Sequence, residues 1–217
     1  MNYAAIIRML AVCGFGLSAS MVFSGIVAFL LAEPAQFRVF IATAILLLTA
    51  SSATIVLVGQ PARRAQPSDG LAFMVFFWVF AGIVCAPPFL MGLPNGSPMA
   101  AFHEAVSCLT TTGHSILDPA MGELPGSVLL WRALLHLVGA AATVTFAATV
   151  LAALSLDGPG IHRTPLFSLS DESFFDSMPR VVKVTALYGS ICVLLVFAIE
   201  VVGGIPVHTA FVDAVSA

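Results

Sequence analysis

The residues with the clearest chemistry stand four in a row, Thr110-Thr111-Thr112-Gly113. In an extended strand their backbone carbonyls can line up and replace the hydration shell of a cation, as in potassium filters. Gly113 permits a positive φ that another residue would adopt only under strain. Thr-rich turns are common, so the tetrapeptide gains its weight from its surroundings. His114 follows directly, and an imidazole can gain charge at mildly acidic pH, which makes it a candidate for the mouth of such a filter. Rival chemistries lack their residues. His103-Glu104 starts an H-E-x-x-H zinc-protease pattern, but position 107 is Ser107. There is no Gly-rich nucleotide loop, Ser-His-Asp order or pair of carboxylates on one helix face. An enzyme is not expected, and no cofactor is implied.

The composition says what must hold this segment in place. Of 217 residues, 59% are hydrophobic and 9% charged, against about 25% charged in soluble domains. A polytopic, all-α membrane protein remains, with the lipid bilayer as its surroundings. The net charge of −3 offers no basic surface for a phosphate backbone, so nucleic acid is excluded as a partner. Stretches of about 20 apolar residues cross a bilayer, and five qualify: Ala4 to Leu31, Phe37 to Val58, Leu71 to Leu93, Val128 to Leu156 and Val181 to Val202. The first is too long for the apolar core of about 7 to 15 residues in a signal peptide. Leu10-Ala11-Val12-Cys13 lacks the small residue expected before a lipidated cysteine, so this helix is read as retained. Cys13, Cys85, Cys108 and Cys192 form no C-x-x-C and read as structural thiols.

Six of the eight basic residues, Arg8, Arg63, Arg64, Arg163, Arg180 and Lys183, fall on one side of this topology. The positive-inside rule makes that side cytoplasmic, together with the N-terminus. Residues 94–127 then lie outside. Within them Ser97 is a good N-cap and Pro98 suits the first helical position. The helix they open, Pro98 to Leu109, covers only roughly 18 Å, so it dips into the membrane and must return. Its dipole and unpaired C-terminal carbonyls would face the membrane centre and favour a cation.

An internal repeat supports this layout. Ala101-Phe102-His103-Glu104-Ala105-Val106-Ser107 recurs as Ala210-Phe211-Val212-Asp213-Ala214-Val215-Ser216, with five of seven positions identical. The same shift carries the span beginning near Leu71 onto the one beginning near Arg180. The second copy stops at Ala217, the counterpart of Cys108, which reads as an interruption inside a second re-entrant half-helix. The expected divisions are 1–66, two leading helices; 67–157, a complete helix, pore loop and helix; 158–178, a cytoplasmic connector; and 179–217, the start of a second unit.

The stretch Phe102 to Gly113, followed by Leu129-Leu130-Trp131-Arg132-Ala133-Leu134-Leu135, resembles the first pore loop and following helix of the TrkH/KtrB family of potassium transporters. The likeness runs over essentially the whole chain. It implies a channel-like fold of helix, pore loop, helix units around a pseudo-fourfold pore in the plasma (inner) membrane. By this resemblance K⁺, in some cases Na⁺, is the transported ion. Thr110, Thr111, Thr112 and Gly113 would form one quarter of the filter that binds it. Arg132 would support the loop by binding carbonyls or an acid such as Glu104 or Glu123. A homo-oligomer and a cytoplasmic nucleotide-binding regulatory subunit are implied as well. Two positions depart from the family pattern: His114 stands where a small residue is usual, and Gly139-Ala140-Ala141-Ala142 where a Gly-Gly-x-Gly cluster is usual. The rival reading is a truncated, non-transporting membrane protein that regulates an intact transporter. Among the remaining ionisable groups, His136 reads as a neutral hydrogen-bond donor within its span and Glu200 as a snorkelling or capping acid. His162 and His208 read as solvated, and Asp171, Glu172 and Asp176 as a solvated connector.

Overall fold

The computed structural model describes residues 2–60, 67–90, 97–116, 124–153, 174–206, 210–211 and 213–214. These form the helices α1 (Tyr3–Leu30), α2 (Pro34–Val58), α3 (Pro67–Cys85), α4 (Pro87–Leu90), α5 (Pro98–Leu109), α6 (Gly126–Ala153) and α7 (Phe174–Val202), and no strand among the described residues. Five helical segments are long and apolar enough to cross a membrane, and α5, at 12 residues, is too short to do so. The far ends of two expected spans, residues 91–93 and 154–156, lie outside the described residues. So do His162, Asp171, Glu172 and His208, and the side chain of Asp176.

The two leading helices pack as a tight antiparallel hairpin. A Cβ on Gly14 would strike Ser51 Oγ, and one on Gly25 would lie 2.9 Å from Ile41 Cδ1. Small residues let the backbones close up where lipid gives no hydrophobic push. At one end of the bundle the Asn2 side chain caps α1 through Ala5 N–H at 3.2 Å. Its backbone N–H reaches Asp69 Oδ1 at 2.7 Å, and Arg8 donates to the carbonyl of Gly59. At the other end Glu33, between α1 and α2, turns away from α2 and caps α6. Its Oε1 accepts from Gly126 N–H at 2.7 Å, and its Oε2 accepts from the N–H and the hydroxyl of Ser127. A carboxylate suits the positive end of the helix dipole.

The third span is not the continuous helix expected from Leu71. It breaks at Ala86, because Pro87 and Pro88 have no N–H to continue the ladder. Phe89 N–H turns to Ala86 O at 3.0 Å, so the Cys85 carbonyl loses its usual intrahelical donor. Trp131 on α6 supplies the replacement, its indole N–H donating to Cys85 O at 3.2 Å. Trp131 is fully buried and meets Phe40 of α2 edge-on at 5.7 Å. The core thus joins α2, α3 and α6, and α5 is wedged against α3, α4 and α6. Further along, Phe73, Phe77, Trp78 and Phe146 stack edge to face between α3 and α6. Cys85 and Cys108 are buried, Cys13 is half-buried, and Cys192 is exposed on α7.

Candidate functional site

The half-helix α5 starts as its sequence requires, with Ser97 Oγ accepting from Ala100 N–H at 3.4 Å. It buries Ala101, Glu104, Ala105, Cys108 and Leu109. Two glycines admit it. On α3 a Cβ at Gly82 would lie 2.8 Å from Val106 Cγ2, and on α6 a Cβ at Gly139 would overlap the Leu109 carbonyl oxygen. Gly139 therefore does the close packing that its glycine-poor neighbourhood leaves to one residue.

The chain leaves α5 through a Schellman turn, not as an extended strand. Thr111, at φ +54°, occupies the left-handed position that usually takes glycine. Its N–H donates to Cys108 O at 3.0 Å. Thr112 N–H and Gly113 N–H both donate to Ser107 O, at 3.0 and 3.3 Å, and Thr110 N–H and Oγ1–H reach Val106 O, each at 2.8 Å. The expectation of unpaired helix-end carbonyls is corrected for residues 106–108: the threonines that follow the helix satisfy them.

This correction exposes a different set of oxygens. No peptide bond among the described residues is cis, and in a trans peptide C=O points opposite to N–H. Three successive N–H groups, of Thr111, Thr112 and Gly113, point back into α5. The carbonyls of Thr110, Thr111 and Thr112 therefore point away from it, on a face where residues 110–113 are all exposed. The backbone achieves this by alternating handedness: Thr110 at φ −82°, Thr111 at +54°, Gly113 at +73°.

Both ends of the excursion are fastened. Ser107 Oγ–H donates to the His114 carbonyl at 2.5 Å. The fully buried Glu104 accepts from Ser115 Oγ–H at 2.9 Å and from Ile116 N–H through one oxygen. Its other oxygen accepts from Arg132 Nη1 at 2.8 Å, and the same nitrogen donates to Ser115 Oγ at 2.7 Å. Arg132 and Glu104 thus meet, linking α6, α5 and the return leg. Glu123, the other acid considered, lies outside the described residues. Ser107 and Ser115 complete the clamp without any marking in the sequence, where each is one polar residue among several.

His136 donates from Nδ1 to Arg132 O at 3.0 Å. It lines a cavity of about 590 Å³ with Thr111, Gly113, Ala140 and Ala214. His114 is exposed, and its ring meets that of His103 edge-on at 5.3 Å. Glu200 has its Oε2 buried without a partner among the described residues. In the second copy of the repeat, Ala210 and Ala214 are helical and buried, like their counterparts Ala101 and Ala105.

No model of a protein family matches this chain. Curated proteins do. The Trk system potassium uptake protein TrkH of Salmonella typhimurium is 29% identical over 204 residues, covering 91% of this chain and 40% of that protein. TrkI of Halomonas elongata is 27% identical over 82% of the chain and 35% of its own length. The crystal structure of the potassium transporter TrkH from Vibrio parahaemolyticus superposes with a TM-score of 0.77 at 24% identity, over 99% of this chain and 42% of that one. The fold is shared, and the chain is a multi-pass, helical membrane protein. In sequence over nine-tenths of its length and in fold over nearly all of it, the chain is similar to the TrkH potassium uptake proteins, and it spans about 40% of their length.

Proposed function

We propose that this stretch supplies one filter segment of a potassium-conducting pore. K⁺, with Na⁺ as the alternative cargo, moves down its electrochemical gradient past the backbone oxygens of Thr110, Thr111, Thr112 and Gly113. The supporting observation is the fan of three N–H groups directed into α5, which turns the carbonyls of residues 110–112 outward together. A row of such oxygens replaces water around a dehydrated cation. Glu104 and Arg132 hold the segment, and His114 stands at its mouth. Further filter segments come from outside residues 110–113, within a homo-oligomer served by a cytoplasmic nucleotide-binding subunit.

Gly113 provides the test. It sits at φ +73° with nothing within 4 Å of a built Cβ, so a side chain there meets strain but no clash. A valine held at positive φ costs roughly 1–3 kcal/mol. In the full-length protein Gly113→Val should abolish Rb⁺ uptake and leave membrane insertion intact. Uptake at the wild-type rate would remove the filter from this loop.

The proposal sets the N-terminus on the cytoplasmic face of the inner membrane. In a cysteine-free background, an impermeant maleimide applied to intact cells should label Arg38→Cys and spare Ser68→Cys. The reverse pattern would invert the topology.

A further inference from the structure

The imidazoles of His103 and His114 have no part in the clamp, yet the hairpin brings them together. His103 lies on α5 just before Glu104, and His114 directly follows Gly113. Their ring centroids are 5.3 Å apart and the rings nearly perpendicular. His103 Nδ1 is buried and has no hydrogen-bond partner among the described residues. A buried ring nitrogen without a partner is costly to maintain, and it is the atom that a ligand would satisfy. His114 is exposed, so its ring can turn a nitrogen toward the same point and water can fill the remaining positions. The backbone of His114 is already tied to α5 by Ser107 Oγ, so the spacing of the two histidines is set before anything binds.

We propose that His103 and His114 form a two-histidine site for a borderline divalent transition metal such as Zn²⁺ or Ni²⁺. Imidazole is the ligand these ions favour. Metal–nitrogen bonds of about 2.0–2.1 Å let one ion join two nitrogens up to roughly 4 Å apart, a separation within reach of rings placed this way. Glu104 is no third ligand, because Arg132, Ser115 and Ile116 occupy its oxygens. Among the described residues no group of three or more His, Cys, Asp or Glu side chains is placed to hold a metal. The site is therefore open and completed by water, which makes it reversible. A bound dication would sit one residue from Gly113 and repel monovalent cations. This consequence rests on the filter reading of residues 110–113; the binding itself does not.

The test uses untagged, purified full-length protein titrated with NiCl₂ in a calorimeter, beside His103→Gln and His114→Gln. Loss of an outer-shell partner already weakens metal sites about 10–100-fold, so loss of either ligand should weaken binding at least ~10-fold. Thermal unfolding of each variant without metal shows that the fold has survived. Wild-type affinity in either variant overturns the site, as does the absence of any saturable binding to the wild type. A parallel measurement follows Rb⁺ flux into proteoliposomes, with Ni²⁺ added and then chelated. A reversible block that both variants lose supports the placement at the filter mouth. Histidine-dependent binding without block upholds the site and overturns that placement.

Discussion

Replacing Gly139 with alanine is expected to push the half-helix off α6 and to cost the protein most of its Rb⁺ uptake. The new Cβ would overlap the Leu109 carbonyl oxygen and lie 2.6 Å from Leu109 C and 3.0 Å from its Cα. All three are backbone atoms, and no rotamer change moves them aside. Overpacking commonly costs about 1–3 kcal/mol, and here the displaced atoms belong to the turn that aims residues 110–113. Gly82→Ala is the natural control, because the atoms nearest its new Cβ are the side-chain carbons Val106 Cγ2 and Phe102 Cε2, at 2.8 and 2.9 Å. Those are side-chain tips that can yield. Unfolding midpoints and Rb⁺ uptake measured on both variants of the full-length protein should separate them clearly. If Gly139→Ala proved as mild as Gly82→Ala, the half-helix would not depend on this contact.

The second large effect concerns Glu104. It is fully buried, with Arg132 only 17% exposed beside it, and removing one partner of a buried pair costs roughly 3–5 kcal/mol. Glu104→Ala also takes away the acceptor of the Ser115 hydroxyl and of the Ile116 N–H, so it should destabilise more than Arg132→Ala, which leaves Glu104 both of those donors. The double variant should be less damaged than the two single losses added together, since neither charge is then left alone. Thermal unfolding of the four proteins completes the cycle. Additive losses would mean that the 2.8 Å contact carries no coupling. Rb⁺ uptake should fall in all three variants, because each frees the return leg of the loop.

Local features were the ones legible in the sequence. Ser97 and Pro98 set the start of α5 through contacts within one turn, and the structure begins the helix there. The apolar runs located all five long helices, since a membrane-crossing helix declares itself by composition. The Ala86 break was signalled by Pro87-Pro88 but hidden under a hydropathy run that continued across it. The left-handed conformation of Thr111 had no such signal: a β-branched residue is a poor choice for it, and only the last-turn carbonyls of α5 make it worthwhile. The partner of Arg132 could be narrowed only to carbonyls or an acid such as Glu104 or Glu123, because a contact across 28 positions depends on how α5 packs against α6. The same holds for Trp131 with Cys85, where the donor answers a vacancy created by prolines on another helix.

Glu33 carries a consequence for biosynthesis. The carboxylate that caps α6 lies 93 and 94 positions before the N–H groups it receives, so during synthesis it is in place long before they exist. The α1–α2 hairpin can therefore settle in the membrane first and present a waiting anchor. When α6 arrives, its N-terminus can then dock on a surface already built. The leading hairpin can in this sense act as an assembly jig, setting the register of α6 before α6 itself is complete.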